Sequence, residues 1–340
     1  MILTQEKLDL LRGILDGAPK KIALLCHTNP DGDTIGAALA WRAYLERLGH
    51  STQCIAPNRY PYFLEWMTDI GYIGIFKDDA DGEMAQFIAE SDVIFCMDFN
   101  QIDRLDRVTE TVTANTTAVR VLIDHHLHPP VDGYAVQFSD THACSTSYIV
   151  YRLIDALAGT EAIDKAMAES LYVGIMTDTG NFSFSNLSAD LFRAVAVLVD
   201  KGLNVPYVNS AVYNNFSESR MRLLGYMLND KMVTNFEYGV AYVSLTEEEM
   251  RRFNFIQGDS EGFVNYPLSI RGIRMSAMFI QTKHSIRVSL RSRGEVDVNV
   301  FARRYFGGGG HRNAAGGKSF VPMNETLDNF RRYLKEYFGA

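Results

Sequence analysis

The chain has 340 residues, 47% hydrophobic and 22% charged, with a formal net charge of −8. At roughly 100–200 residues per domain this predicts two domains with proper cores, and it argues against a disordered chain. The acid excess excludes the broad basic footprint of a long-duplex nucleic-acid binder, but not a phosphate substrate, because bound cations can reverse the local field.

Leu8, Leu11, Ile14 and Leu15 share one face of a predicted helix over 4–17, ended by Gly17 and Pro19. This start carries no secretory pattern, and no apolar run nears the roughly 18 residues of a spanning helix, so a cytoplasmic protein without membrane contact is expected. The four cysteines (Cys26, Cys54, Cys96, Cys144) show no CxxC spacing and are read as structural free thiols.

Residues 21–27 (KIALLCH) read as a buried strand and 35–49 as a helix stopped by Gly49. Between them lies His27-Thr28-Asn29-Pro30-Asp31-Gly32-Asp33. A kink at Gly32 would bring Asp31 and Asp33 to a common region, although Asp-Gly-Asp alone reads as a capped turn. Residues 92–100 (DVIFCMDFN) form a second apolar run, reaching Asp98. Residues 119–126 (VRVLIDHH) form a third, ending in Asp124-His125-His126, where strand alternation predicts that the two rings point to opposite sides. His128 reads as an ordinary loop residue.

Helices are predicted over 147–159, 166–180 and 188–201. Asp178, at a helix C-terminus, opposes the helix dipole and calls for a compensating partner. The alternation of strand and helix predicts an α/β fold: a mostly parallel N-terminal sheet with helices on both faces. Residues 205–228 read as a helical connector between domains at 1–204 and 229–340. The second is a smaller α/β domain with a mixed sheet: a hairpin at 233–245 turning near Tyr238-Gly239, two strands within 273–292, and a helix over 324–338.

Strand-end aspartates and imidazoles suit manganese, with magnesium, cobalt and iron as competitors. Two such ions can clamp a phosphoryl group and activate water. In the second domain, Arg287, Ser289, Arg291 and Arg293 alternate with apolar residues, placing the polar set on one face. Gly307-Gly308-Gly309-Gly310-His311 reads as an open, nest-like loop whose N–H groups could approach phosphate.

The four N-terminal segments, in this order and spacing, resemble the DHH phosphoesterase family, named for the Asp-His-His at 124–126. The resemblance implies one metal on His27, Asp31 and Asp98, and a second on Asp33, Asp98, His125 and Asp178, with Asp98 bridging. It implies that His126 meets the scissile phosphate and that Asp124 supports the histidines. Thr34 replaces a smaller residue usual in the family. The Ser289–Arg291 strand and the glycine-histidine loop resemble the DHH-associated C-terminal domain of its NrnA-type, RecJ-like oligoribonucleases. That similarity implies that Ser289, Arg291, Gly309, Gly310 and His311, with Arg271 as a weaker candidate, hold the nucleotide.

The activity so implied is hydrolysis of short single-stranded RNA to mononucleotides, with removal of the 3′-phosphate of adenosine 3′,5′-bisphosphate. Three alternatives stand beside it: the same chemistry on pApA or cyclic di-AMP, the same chemistry on polyphosphate, and a non-catalytic nucleotide-binding module. A homodimer is left open.

Overall fold

A computed structural model describes residues 2–183 and 186–339. The chain divides into two compact units, Met1–Asn215 and Phe216–Ala340.

The first unit is built on six parallel strands: β1 (Lys21–Leu25), β2 (Ser51–Ala56), β3 (Ile73–Ile75), β4 (Val93–Met97), β5 (Val119–Asp124) and β6 (Val136–Ser139). Their order across the sheet is β3-β2-β1-β4-β5-β6. Its helices are α1 (Gln5–Leu15), α2 (Gly32–Arg47), α3 (Glu83–Ala89), α4 (Val108–Ala114), α5 (Thr146–Ala158), α6 (Lys165–Asp178), α7 (Ala189–Asp200) and α8 (Val205–Tyr213). The chain runs outward from β1 through β2 and β3, then returns to the other side of β1 at β4. In open α/β sheets such a switch point opens a crevice beyond the carboxyl ends of the two central strands.

Alternate residues of the buried strands serve opposite faces. Ala23, Leu25, Ile94, Cys96 and Leu122 pack with Ile88 of α3 and with Val108 and Val112 of α4. On the other face Phe95 meets Trp41 of α2 edge to face, at 5.6 Å between ring centroids. Helices therefore cover both faces, as expected. All four cysteines are buried and free. No helix among the described residues is long and apolar enough to cross a membrane.

Two glycines let α2 and α6 approach closely. A Cβ on Gly36 would stand 2.2 Å from the Ser170 carbonyl oxygen, and one on Gly174 would stand 1.9 Å from Ser147 Oγ and 2.7 Å from Asp33 Oδ1. Only glycine fits at that separation.

The second unit holds α9 (Glu218–Tyr226), β7 (Val233–Asn235), β8 (Val240–Leu245), α10 (Glu247–Arg252), β9 (Met275–Gln281), β10 (Ile286–Ser292), α11 (Val298–Phe306), β11 (Gly309–His311), β12 (Ala314–Ser319) and α12 (Met323–Phe338). Its sheet runs β11-β12-β10-β9-β8-β7. Strands β8 and β9 are parallel and the other neighbours antiparallel, so the sheet is mixed. One face packs on α11 and α12 through Phe279, Phe301 and Phe330. The opposite face carries Val243, Leu245, Met278 and Ile280 against Leu223 and Leu224 of α9 and Phe263.

Four sequence expectations need correction. Helix α2 begins at Gly32 rather than near Ile35, with Asp31 as its N-cap. Gly32 is not the kink: the left-handed residue of this loop is Asn29 (φ 54), and Gly32 is small because a Cβ there would meet Thr177 Oγ1 at 2.5 Å. Arg293 lies beyond the end of β10 and is exposed. The glycine run is not an open loop, since Gly309–His311 is a strand paired with β12, and Gly310 adopts φ 146 against the Ala314 carbonyl.

Candidate metal centre

Four chain segments converge at the carboxyl ends of β1, β4 and β5. His27 follows β1 and Asp98 follows β4. Asp98 takes a left-handed backbone (φ 64), a conformation Asp tolerates better than most residues, and its N–H donates to the Ile123 carbonyl at 2.9 Å. Asp33 sits in the first turn of α2, and Asp178 is the last residue of α6. Ligand atoms of His27, Asp31 and Asp98 lie within 4.8 Å of one another, and so do those of Asp33, His125 and Asp178. Asp98 also reaches the second set, 3.4 Å from His125 Nε2. The structure thus brings together all six residues proposed from sequence as ligands.

The orientation of the imidazoles is informative. His27 Nδ1 lies 2.9 Å from the Thr28 carbonyl, and His125 Nδ1 lies 3.3 Å from the Ala143 carbonyl. A carbonyl only accepts, so both rings carry their proton on Nδ1 when neutral. Each Nε2 then faces carboxylates: Asp98 at 3.4 Å from His27, and Asp178 at 3.3 Å and Asp33 at 3.8 Å from His125. A carbonyl holding one nitrogen while the other points at an acidic cluster is the arrangement of metal-binding histidines.

His126 differs. Its Nδ1 donates to Asp124 Oδ1 at 2.7 Å, and its backbone N–H donates to Asp124 Oδ2 at 3.1 Å. The expectation that the two rings point apart fails, because β5 ends at Asp124 and pleat alternation stops there. Both rings turn toward Asp98 Oδ1, at 3.4 Å for His125 Nε2 and 3.7 Å for His126 Nδ1. His128 is an exposed loop residue.

Helix α5 anchors the cluster from behind. The Thr146 and Ser147 backbone N–H groups donate to Asp33 at 2.6 and 2.8 Å, and the Thr146 hydroxyl donates to Asp98 Oδ1 at 2.8 Å. Orphan donors at a helix N-terminus suit a buried carboxylate. The Thr34 hydroxyl donates to the Met97 carbonyl at 3.1 Å, tying α2 to the end of β4.

The electrostatics reflect crowding. Burial, then Asp98 and Asp178, pushes the Asp33 carboxyl well above its usual range, against the pull of His125. Burial raises Asp178 to about 6. Burial acts to raise Asp98 too, but His27, His126 and His125 hold it below its usual range. Burial would lower His125, yet Asp178, Asp98 and Asp33 outweigh it and raise the ring to about 9. Asp178 thereby has the partner its place at a helix end called for.

The residues proposed for substrate lie in the second unit. On β10, Arg287, Ser289 and Arg291 are half-buried while Val288 and Leu290 are buried. Register then orders them: Ser289 and Gly309 both stand opposite Gly316, and Arg291 and His311 both stand opposite Ala314. Paired residues share a face, so small residues of β12 separate Arg291 and Ser289 from His311 and form a shallow trough. Gly310 belongs to the other face, with its N–H donated to Asn299 Oδ1 at 3.1 Å. Arg271 is exposed in the turn before β9.

Sequence reasoning missed Thr146, Ser147 and Arg104. Ser145-Thr146-Ser147 carries only the ordinary signature of a helix cap, and Arg104 sits in an undistinguished loop. Arg104 Nη1 lies 3.1 Å from His126 Nε2.

Residues 21–175 match the DHH family, N-terminal domain, and residues 236–340 match the DHHA1 domain. The bifunctional oligoribonuclease and PAP phosphatase NrnA of Bacillus subtilis is 31% identical over 325 residues, covering 93% of this chain and 95% of that protein. An exopolyphosphatase-related protein from Bacteroides fragilis superposes with a TM-score of 0.92 at 37% identity, covering 98% of this chain and 97% of that one. RecJ of Thermus thermophilus in complex with Mn2+ shares the fold alone, at 12% identity and a TM-score of 0.55, covering 99% of this chain and 55% of that one. The chain belongs to the DHH family.

Proposed function

We propose that this chain is a two-metal phosphoesterase that hydrolyses short oligoribonucleotides to mononucleotides and removes the 3′-phosphate of adenosine 3′,5′-bisphosphate. One observation carries the reading: two neighbouring sets of carboxylates, each faced by an imidazole Nε2, meet at Asp98 at the switch point of the sheet. The donor set fits divalent ions. Like charges crowd around Asp33 and Asp178, and a proton bound by His125 stands where a cation would. Manganese suits this mixed oxygen and nitrogen set, with magnesium or cobalt as substitutes. His27, Asp31 and Asp98 would hold one ion, and Asp33, Asp98, His125 and Asp178 the other. When bound, such a pair polarises the phosphoryl oxygens and activates water.

The remaining roles belong to the chain itself. Thr146 and Ser147 fix the carboxylates. Asp124 holds His126 facing the site, where it meets the phosphate. Ser289, Arg291, Gly309 and His311 bind the nucleotide portion, with Arg291 and His311 giving charge-assisted bonds to phosphate, and Gly310, its N–H held by Asn299, supports the row from the other face. The reading is also supported by the NrnA name of the Bacillus subtilis relative. The name of the Bacteroides fragilis protein favours polyphosphate as the competing substrate.

The test is release of mononucleotide from a diribonucleotide with manganese, beside pApA, adenosine 3′,5′-bisphosphate and polyphosphate. Asp98→Asn keeps the backbone conformation and removes the bridging charge. It should lower kcat by ~10³-fold or more, since losing several kcal/mol of transition-state stabilisation is worth that factor. Equal rates in wild type and Asp98→Asn would remove the proposal. Turnover of polyphosphate alone would transfer the chemistry to that substrate.

A further inference from the structure

His126 has a second partner that its proposed role does not use. Arg104 lies on a short 3-10 turn, Ile102–Leu105, between β4 and α4. Two features pin that turn. Leu105 is buried in the core of the first unit, and the Arg104 carbonyl accepts the Thr28 N–H at 2.8 Å, tying the turn to the His27 loop. The side chain is half-buried, with Nη1 at 3.1 Å from His126 Nε2.

A guanidinium only donates, so His126 Nε2 must be the acceptor. The ring proton then sits on Nδ1, donated to Asp124 Oδ1 at 2.7 Å. His126 is clamped from both ends, between a fully buried carboxylate and a guanidinium. In this state Nε2 has no proton to offer a substrate. Among the described residues no carboxylate lies within ion-pair distance of Arg104, although the cluster beside it holds Asp31, Asp33, Asp98, Asp124 and Asp178. Four of its five N–H donors remain for another acceptor. An acid-rich site that must receive an anion needs such a fixed positive charge.

We propose that Arg104 is the residue that meets the substrate phosphate in this unit and that it positions His126 by fixing the Nδ1–H tautomer. This rests on the phosphoesterase reading. It changes the account of His126, which becomes an acceptor that aims the guanidinium rather than the group that itself meets the phosphate.

The test uses the full-length, manganese-loaded protein as wild type, Arg104→Ala and Arg104→Lys. Steady-state rates are measured on a diribonucleotide, metal content by elemental analysis, and the His126 tautomer by nitrogen-15 NMR. Arg104→Ala should keep its metal and lose ~10²–10³-fold in kcat, the usual cost of removing one donor to developing charge. Added guanidinium ion should restore part of that loss. Arg104→Lys should recover only part of the rate, because it keeps the charge and loses the fork. In the spectrum, wild-type His126 should be Nδ1–H, and Arg104→Ala should show mixed tautomers.

A kcat/KM for Arg104→Ala within about threefold of wild type would overturn the proposal, since a positioned phosphate ligand costs more than that. So would an Nε2–H tautomer in wild type. If Arg104→Ala fails to fold, Arg104→Lys decides through the same rate and tautomer readings. If wild type cleaves no nucleotide at all, the phosphoesterase reading falls, and the tautomer alone decides whether Arg104 positions His126.

Discussion

The two units gather their polar residues by different means. In the first, His27, Asp33, Asp98, His125 and Asp178 come from segments spread over about half the chain, and sheet topology brings them to one crevice. In the second, Ser289, Arg291, Gly309 and His311 come from neighbouring strands, and hydrogen-bond register lines them up across Gly316 and Ala314. Topology produces a buried, charge-crowded cluster whose geometry depends on how helices pack behind it. Register produces a half-exposed row whose geometry depends on local pairing. Remote packing changes should therefore damage the first site, and surface substitutions should tune the second.

The sharpest way to break this contrast is Gly174→Ala. The added methyl meets Ser147 Oγ and Asp33 Oδ1, so α2, α5 and α6 must shift. Overpacking of this kind costs ~1–3 kcal/mol of stability. Because Ser147 holds Asp33, manganese affinity should also fall by ~10–100-fold, as for loss of an outer-shell partner. Calorimetric titration with manganese checks both, and unchanged affinity would mean that the cluster does not depend on helix spacing.

A smaller effect is expected from Arg291→Ala in the second unit. Losing one charge-assisted bond should raise KM by ~10-fold and leave kcat within about threefold. A fall in kcat with KM unchanged would instead give Arg291 a part in the chemistry.

The smallest effect concerns pH. His125 is raised to about 9 in the fold against an ordinary 6.5. A raised base contributes stability that is complete below the unfolded value and is lost as pH climbs through the folded one. The chelated protein should therefore lose a few degrees of melting temperature between pH 6.5 and 9. This window lies above that of Asp178, which runs from 3.8 to about 6. His125→Asn should flatten the decline, and so should manganese, because a bound ion displaces the proton. A decline that persists in His125→Asn would assign it to another group.

Much of this was legible in the sequence because it depends on local pattern. Apolar runs ending at His27, Asp98 and Asp124 gave β1, β4 and β5, and period-two alternation gave β10 with its polar face. What escaped depends on distance in the chain. Strand β3 is only three residues, Ile73–Ile75, and β6 four, Val136–Ser139, too short to show a period. The glycines at 307–310 look like a flexible loop because composition does not report that a strand will pair across them. Thr146 and Arg104 carry no local signal at all, since their importance comes from Asp98 and His126, which lie 48 and 22 residues away.

The left-handed backbone at Asp98 has an evolutionary consequence. Asparagine populates that conformation as readily as aspartate, and glycine more readily still. A single nucleotide change could erase the shared charge while costing the architecture almost nothing. Silent descendants of this scaffold, folded and able to grip nucleotides yet inert, should therefore be easy for natural selection to reach.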